Sequence, residues 1–379
     1  MALQDRISSA SARDSAAPNK ITPRGSKAAR SATTADTLVV LQSGPRPLPT
    51  TNPYNIMLAR AIESLPGIDF RYFSWREALT KRHAVFHAHW PEAMLTSPVR
   101  WRALARQAVF ALLLLKWRVN RTAIVRTEHN IGLPRDISWR EVLLLRAFER
   151  QTAVHICLNK HTPVPDEQTR HIVPHGDYRP WYDGHRRSST RPGRIAYFGM
   201  IRRYKGVDRL ITAFKETADP GLSLSIGGKP STPELGAEML RLAKTDPRID
   251  LVLDFLDDPA LVRAITEAEL VVLPHPEMHN SGSALAALSL DRPVLVQDNP
   301  VNRDLQAEVG RGWVHLYSGT LTGQDLEAAL REVRINPPSD RPRLEDRDWQ
   351  RSAALHEAAY RHAVSLIHAH RRSRNPITS

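Results

Sequence analysis

Two stretches of the chain carry residue types that could handle a diphosphate. The first, Phe198-Gly199-Met200-Ile201-Arg202-Arg203-Tyr204-Lys205-Gly206, lies between a strand-forming run and a helix-forming one. Glycine lets the backbone turn tightly, and three cations near a helix start can neutralise a diphosphate leaving group. A solvated basic loop is the competing reading. The second stretch is Leu273 to Asp298. Here the run Leu270-Val271-Val272-Leu273 ends at two prolines, and the polar loop His279-Asn280-Ser281-Gly282 opens onto a small-residue helix, Ala284 to Leu290. Pro293 stops that helix before the apolar run Val294-Leu295-Val296. In open α/β sheets such turns lie beyond the carboxyl ends of strands, where free N–H groups and the helix dipole attract phosphate. Asn280, Ser281, Gly282 and Ser283 are therefore candidate diphosphate ligands, with an ordinary βαβ crossover as the alternative.

These loops need strands and helices to position them, and the chain supplies both in alternation. Strands are expected at Thr37 to Gln42, Phe70 to Phe73, Val85 to His89, Ala123 to Thr127 and Val154 to Leu158, with helices over Tyr54 to Ser64, Val99 to Val119 and Trp139 to Glu149. After the polar, Pro-terminated run His185 to Pro192 a second series begins. Its strands are Arg194 to Phe198, Leu222 to Ile226 and Leu251 to Phe255, and its helices Val207 to Lys215, Pro233 to Lys244 and Pro259 to Glu267. Apolar strands alternating with helices imply two doubly wound parallel sheets facing across a cleft. The expected organisation is a disordered basic tail over 1–36, a Rossmann-like domain over 37–184 and a linker over 185–193. A second Rossmann-like domain over 194–345 and a closing helix that returns to the first domain, with a basic tail, over 346–379 complete it.

Composition narrows the partners. At 379 residues the chain fits two domains, and a formal charge of +13 calls for an anionic partner: nucleic acid, anionic lipid or a phosphorylated substrate. Cys157 is the only cysteine and sits in the apolar run Ala153 to Leu158, which excludes a disulfide framework and suits a reducing cytosol. The longest apolar run, Ala108 to Leu115, falls far short of the roughly 20 residues of a spanning helix, so a soluble or peripheral protein is expected.

The aromatic, Gly, basic, Lys-Gly pattern at 198–206, with Ile211 and Phe214 after it, resembles the donor-binding signature of GT-B glycosyltransferases of the GT4-like clan. Ser289 to Val294 is similar to the clan's small-residue helix and its Gly-x-Pro-Val turn, with Asp291 in place of the glycine. The clan's acidic pair is broken: Met278, beside Glu277, and Ala286 stand where its glutamates would. The set Asn280 to Leu285, Arg202 to Lys205, Pro174 to Tyr178, Glu128-His129-Asn130 and Val309 to Val314 further resembles bacterial exopolysaccharide β-mannosyltransferases acting on polyprenyl-diphosphate glycans.

The resemblance implies an inverting hexosyltransferase with a nucleotide diphosphate sugar, best GDP-mannose, as donor and a polyprenyl-linked glycan as acceptor. Gly199, Arg202, Arg203, Lys205, Glu277, Asn280, Ser281, Gly282 and Ser283 would bind the donor. No Asp-x-Asp motif stands in a suitable place, Asp257-Asp258 reading as a helix cap, so no metal is expected, and no cofactor, the nucleotide sugar being a substrate. Transfer with inversion needs a base, for which Glu92 is the first choice, followed by Glu128 and His129. His89 and Asp177 are the acceptor-binding candidates, each with a structural reading beside it: a satisfied strand-end histidine and a plain β-turn.

The basic residues Arg100, Arg102, Arg106, Lys116, Arg118, Arg121 and Arg126, interleaved with Trp101, Trp117 and Leu112 to Leu115, suggest an anionic membrane surface. The other reading is a core helix with a basic outer face; nucleic acid is not expected, because no recognition motif accompanies the charge. The expected location is cytoplasmic, peripheral on the inner face of the plasma membrane. Two alternatives remain at this point: a retaining GT4-type enzyme using a UDP-sugar, and a non-catalytic Rossmann-type protein binding anionic lipid or nucleic acid.

Overall fold

The computed structural model describes residues 37–48, 51–129, 132, 137–165, 168–338 and 340–374. The tail expected over 1–36 and Asn130 lie outside them. Six strands form the first sheet: β1 (Leu38–Gln42), β2 (Ile68–Tyr72), β3 (Val85–Ala88), β4 (Ala123–Glu128), β5 (Thr152–Cys157) and β6 (Arg170–Ile172). Helices α1 (Pro53–Glu63), α2 (Trp75–Thr80), α3 (Arg100–Asn120), α4 (Trp139–Glu149) and the short α5 (Arg179–Tyr182) belong to the same half. The second sheet holds β7 (Arg194–Phe198), β8 (Ser223–Gly227), β9 (Ile249–Val252), β10 (Leu270–Leu273), β11 (Val294–Gln297) and β12 (Val314–Tyr317). Between and after its strands run α6 (Val207–Lys215), α7 (Pro233–Ala243), α8 (Asp258–Glu267), α9 (Gly282–Ser289), α10 (Pro300–Val309), α11 (Gly323–Ile335) and the long α12 (Trp349–Arg374).

Strand order is β2-β1-β3-β4-β5-β6 in one sheet and β12-β11-β10-β7-β8-β9 in the other, with every ladder parallel. Both orders reverse direction beside their first strand, and the crevice at such a reversal, past the carboxyl ends, is where α/β sheets bind ligands. The expected α/β architecture is therefore present. Parallel strands covered by helices on both faces must be apolar throughout, and Val85, Phe86 and Ala88 of β3 and all four residues of β10 are buried. Against the first sheet Phe86 stacks on Trp117 of α3 with ring centroids 4.1 Å apart. The last helix, α12, packs on α1, β4 and β5, and its Tyr360 hydroxyl lies 2.8 Å from His87 Nδ1.

Three local differences from the sequence reading have physical causes. The strand expected at Leu251 to Phe255 runs instead over Ile249–Val252: the Asp254 carboxylate accepts the Phe255 N–H, ending the extended run and leaving Phe255 63% exposed. The helix expected from Ala284 starts two residues earlier because Ser281 is its cap, accepting the Ala284 N–H at 3.1 Å. Helix α10 was not expected at all; Asn299 caps it and Pro300 occupies its first position, a start signal embedded in a polar stretch.

The loops after β7 and β8 touch back to back. Gly228 has φ +157°, and a Cβ there would stand 2.0 Å from the Gly199 carbonyl oxygen. This is a contact only glycine permits. Gly228→Ala is expected to lower stability by about 2 kcal/mol or more in a urea titration; an unchanged midpoint would contradict the close approach of the two loops.

Candidate active site

The donor-side loops converge as the strand ends dictate. Gly199, at φ +109°, follows β7, and a Cβ there would lie 3.6 Å from Ser283 Oγ and 3.9 Å from Lys205 Nζ. The glycine, the ammonium and the first turn of α9 thus share one small space. Gly206, at φ +67°, closes the turn carrying Lys205 and approaches the Pro274 carbonyl so nearly that a Cβ would stand 2.6 Å from it. Because Ser281 caps the helix with its side chain, the N–H groups of Gly282 and Ser283 have no hydrogen-bond partner among the described residues. Two orphan donors thus stand at a helix N-terminus whose Ser283 hydroxyl shares the lysine's space.

Electrostatics follow from burial. Loss of water, then the neighbouring Arg202, lowers the Lys205 pKa to about 8. His275 lies close enough to feel Lys205; burial first, then that cation, lowers it to about 3, and its Nε2 is buried without a partner. No carboxylate pairs with Lys205 among the described residues. The other donor candidates sit further out: Arg203 is exposed and its guanidinium holds Glu238 at 2.7 Å, Arg202 is exposed, and Glu277 points to solvent. Neither Lys205's environment nor His275's position could be read from spacing, since both depend on where β10 ends beside β7.

The facing wall comes from the first sheet. Asn280 reaches across: its side-chain nitrogen donates to the His129 carbonyl at 3.2 Å, and its oxygen accepts from Asn159 at 2.8 Å. The His129 ring bonds His89, with Nε2 and Nδ1 2.9 Å apart, and stacks on Trp90 at 4.2 Å. His89 Nε2 in turn meets the Gln42 side-chain amide at 2.7 Å. Burial keeps this group neutral, lowering His89 to about 3 and His129 well below its ordinary value. His175, unmarked as a site residue by sequence, lies here too. Its Nδ1 donates to the Gly176 carbonyl at 2.7 Å, and its Nε2 would be 3.6 Å from a Cβ on Gly282. A cavity of about 250 Å³ between the sheets is lined by His175, Asn280 and Ser281.

Three other candidates are placed elsewhere. Alternation along β4 sends Glu128 to the face opposite Thr127 and His129, where it bonds His155 at 2.9 Å and Arg126 at 3.1 Å. Glu92 is half-buried and feels that same Arg126 and Glu128; burial is the main cause of its raised pKa. Asp177 is spent on the turn itself: its carboxylate accepts the Arg179 N–H at 2.7 Å and its carbonyl accepts the Trp349 indole N–H at 2.7 Å. Glu128, Glu149 and His155 could together offer metal ligands, but the Arg126 guanidinium also bridges both glutamates, the arrangement of an ion network.

No family model matches the chain. Two curated relatives from strains of Xanthomonas campestris pv. campestris, both described as GDP-mannose:glycolipid 4-beta-D-mannosyltransferase, are 42% identical over 334 residues, covering 88% of this chain and 95% of theirs. The chain belongs to this glycosyltransferase family. Its fold is that of the GT-B glycosyltransferases. The HepE protein of Anabaena, solved in complex with UDP and glucose, aligns with a TM-score of 0.55 at 13% identity, over 89% of this chain and 100% of that one. The catalytic domain of starch synthase IV from Arabidopsis thaliana gives 0.58 at 10% identity, over 87% and 100%.

A lysine whose pKa is about 8 when folded, against about 10.4 when unfolded, destabilises the fold wherever it must be charged. That penalty is full below the folded value and vanishes as pH rises past the unfolded one. Lys205→Met is accordingly expected to raise the melting temperature of the empty enzyme at pH 7 by about 2 °C or more, with the gain lost near pH 11. A lowered melting temperature at pH 7 would show that Lys205 is not desolvated.

Proposed function

We propose that this enzyme transfers mannose from GDP-mannose to a lipid-linked oligosaccharide, with inversion and without a metal, in the synthesis of an exopolysaccharide or cell-surface glycan. The observation that carries the reading is the convergence of a half-buried Lys205, without a carboxylate partner among the described residues, with the N–H groups of Gly282 and Ser283, which have no partner among them either. Relatives at 42% identity carry the mannosyltransferase description over nearly their whole length.

In this reading the segment 194–345 binds the donor and 37–184 the acceptor. The diphosphate lies against Gly199, Lys205, Gly282 and Ser283, with Arg202 adding charge and Asn280 and Ser281 shaping the loop. As the bond from the sugar's anomeric carbon to the diphosphate breaks, GDP leaves with the electron pair and Lys205 stabilises the growing charge. The acceptor hydroxyl attacks the opposite face of that carbon, and its proton passes to His129. For His129 to act as base, its Nε2 proton bonds His89 Nδ1 and its own Nδ1 keeps the lone pair. This tautomer requires the Gln42 amide, whose Nε2 lies 2.7 Å from His89 Nε2, to turn over so that its oxygen accepts the His89 Nε2 proton. An arriving diphosphate raises the affinity of this buried imidazole for a proton. His129 is preferred over Glu92 and Glu128 because it adjoins the donor loop, whereas they group around Arg126.

The acceptor's lipid places the enzyme at a membrane, and α3 supports an inner-face, peripheral location. Trp101, Leu104, Leu112, Leu115 and Val119 are exposed at spacings that align them along one side, with Trp101 66% exposed. Arg100, Arg102, Arg118 and Arg121 flank them, and Trp139, 71% exposed, and Leu143 continue the surface on α4. No described helix is long and apolar enough to cross a bilayer.

Three outcomes test the reading. Among GDP-mannose, UDP-glucose and UDP-glucuronate, only GDP-mannose is expected to support acceptor-dependent nucleotide release, and Lys205→Ala to slow it about 100-fold. Release unaffected by that substitution would remove the lysine from the donor site. GDP affinity is expected to fall as pH rises through about 8, where the free ammonium loses its proton, and to persist to higher pH in Lys205→Arg; a flat profile in the wild type contradicts the role. Binding to anionic vesicles is expected to weaken with salt and with Leu112→Glu, and indifference to both would move the membrane contact off α3.

A further inference from the structure

A cavity of about 570 Å³ lies between α8 and the segment that runs from α5 to β7 and so joins the two sheets. None of its lining residues belongs to the proposed donor or acceptor groups. The joining segment is fastened at both ends of the helix. At the start of α8 the Trp181 indole N–H donates to the Asp258 carboxylate at 3.1 Å. At its end the Ser188 N–H donates to Thr266 Oγ1 and the Arg191 N–H to the Glu267 carbonyl, each at 2.9 Å. These fastenings stand roughly 14 Å apart along the helix axis. Between them Asp257, Ala260, Arg263 and Glu267 recur every three to four residues, which places them on one face of α8, the face that lines the cavity.

Four arginines and two carboxylates line this space, and both carboxylates are already engaged. Glu267 pairs with Arg191 at 3.2 Å and with Arg194 at 3.8 Å, while Asp257 caps α8 by accepting the Ala260 N–H at 2.9 Å. Arg187 is paired with Asp291 at 2.7 Å. That leaves Arg186 on the joining segment and Arg263 on the helix, both exposed and neither with a carboxylate partner among the described residues. The hydroxyls of Ser188 and Ser189 beside them have no hydrogen-bond partner among those residues either. Guanidinium forks and hydroxyls brought together from two elements, with positive charge in excess, are the donor set that recognises a phosphate. A cavity within the roughly 300–1,000 Å³ of small-ligand clefts also has room for the organic group that carries one.

We infer that this cavity is a second anion site, which binds a phosphate ester between Arg186 and Arg263 with Ser188 and Ser189 donating to its remaining oxygens. The site is separate from the donor reading and does not depend on it. Binding ties the joining segment to the middle of α8. Because that segment connects the two sheets, the ligand stiffens the joint between them.

The test titrates inorganic pyrophosphate into the full-length enzyme at constant ionic strength, with GDP at saturation to occupy the proposed donor site. The wild type is expected to bind pyrophosphate, and the double variant Arg186→Gln, Arg263→Gln to bind it about tenfold or more weakly, with its melting temperature within about 2 °C of the wild type. Hydrogen exchange over residues 185–191 is expected to slow about threefold or more on binding in the wild type and to stay unchanged in the double variant. A second arm separates the two sources of a phosphate ester, using phosphatidylcholine vesicles that contain phosphatidic acid. Vesicle binding lost in the double variant identifies a lipid headgroup, and vesicle binding kept identifies a soluble ester. Equal pyrophosphate affinity in the two proteins, or none in the GDP-saturated wild type, would overturn the site. Exchange over 185–191 that does not slow in a wild type with pyrophosphate bound would overturn the stiffening.

Discussion

A lysine ammonium held largely out of water, with no carboxylate among the described residues to pair with, is an unfavourable arrangement that an arriving anion would relieve. Lys205 is such a group, and burial has already lowered its pKa to about 8. The structure around it is shaped to allow this. Gly199 and Gly206 adopt left-handed backbone, and Gly206 and Gly228 come so near the Pro274 and Gly199 carbonyls that a side chain would not fit at either. Ser281 uses its own hydroxyl as the helix cap, which leaves the N–H groups beyond it unsatisfied. The partnerless nitrogen of His275 beside the lysine extends the same pattern. An anion would satisfy all of these groups at once, and the fold is destabilised locally until one arrives.

The second sheet's loops supply Lys205 beside Arg202, whereas the first sheet supplies neutral imidazoles and aromatic rings. Asn280 joins them, bonded to His129 at the end of β4 and to Asn159 after β5. In the proposed mechanism the leaving-group chemistry and the proton chemistry belong to different sheets, which this one side chain joins. Burial lowers the pKa of His89, His129 and His175 and keeps the three uncharged; in the proposed mechanism His129 accepts a proton once a diphosphate has come near. Carboxylates, by contrast, are drawn into structural pairs: Glu128 with Arg126 and His155, Glu308 with Arg347, Asp291 with Arg187 and Arg341.

The alternation of apolar runs with amphipathic ones made the paired parallel sheets legible, because parallel strands must be buried on both faces and so announce themselves as continuous Val, Ile and Leu runs. The Gly199 to Lys205 loop and the Asn280 to Ser283 loop were legible for a related reason, each sitting between a strand and a helix. What spacing could not convey was direction. Glu128 and His129 are adjacent in sequence, yet the pleat sends them to opposite faces, and the period-2 pattern set by Thr127 and Arg126 was the available signal. Arg203 looked equivalent to Lys205 until Glu238, on a helix many residues away, claimed it. His175 and His275 gained their positions only through contacts between separate elements, and Asp177, which the turn was expected to offer to the acceptor, is consumed in holding that turn.

In the proposed mechanism a base on the first sheet acts against a leaving group on the second, and the sugar transferred is inverted. The anomeric configuration of the product, read by NMR on the glycan formed from GDP-mannose, tests this most directly. A β-linked mannose is the result expected; an α-linked mannose, the donor's own configuration retained, would contradict it.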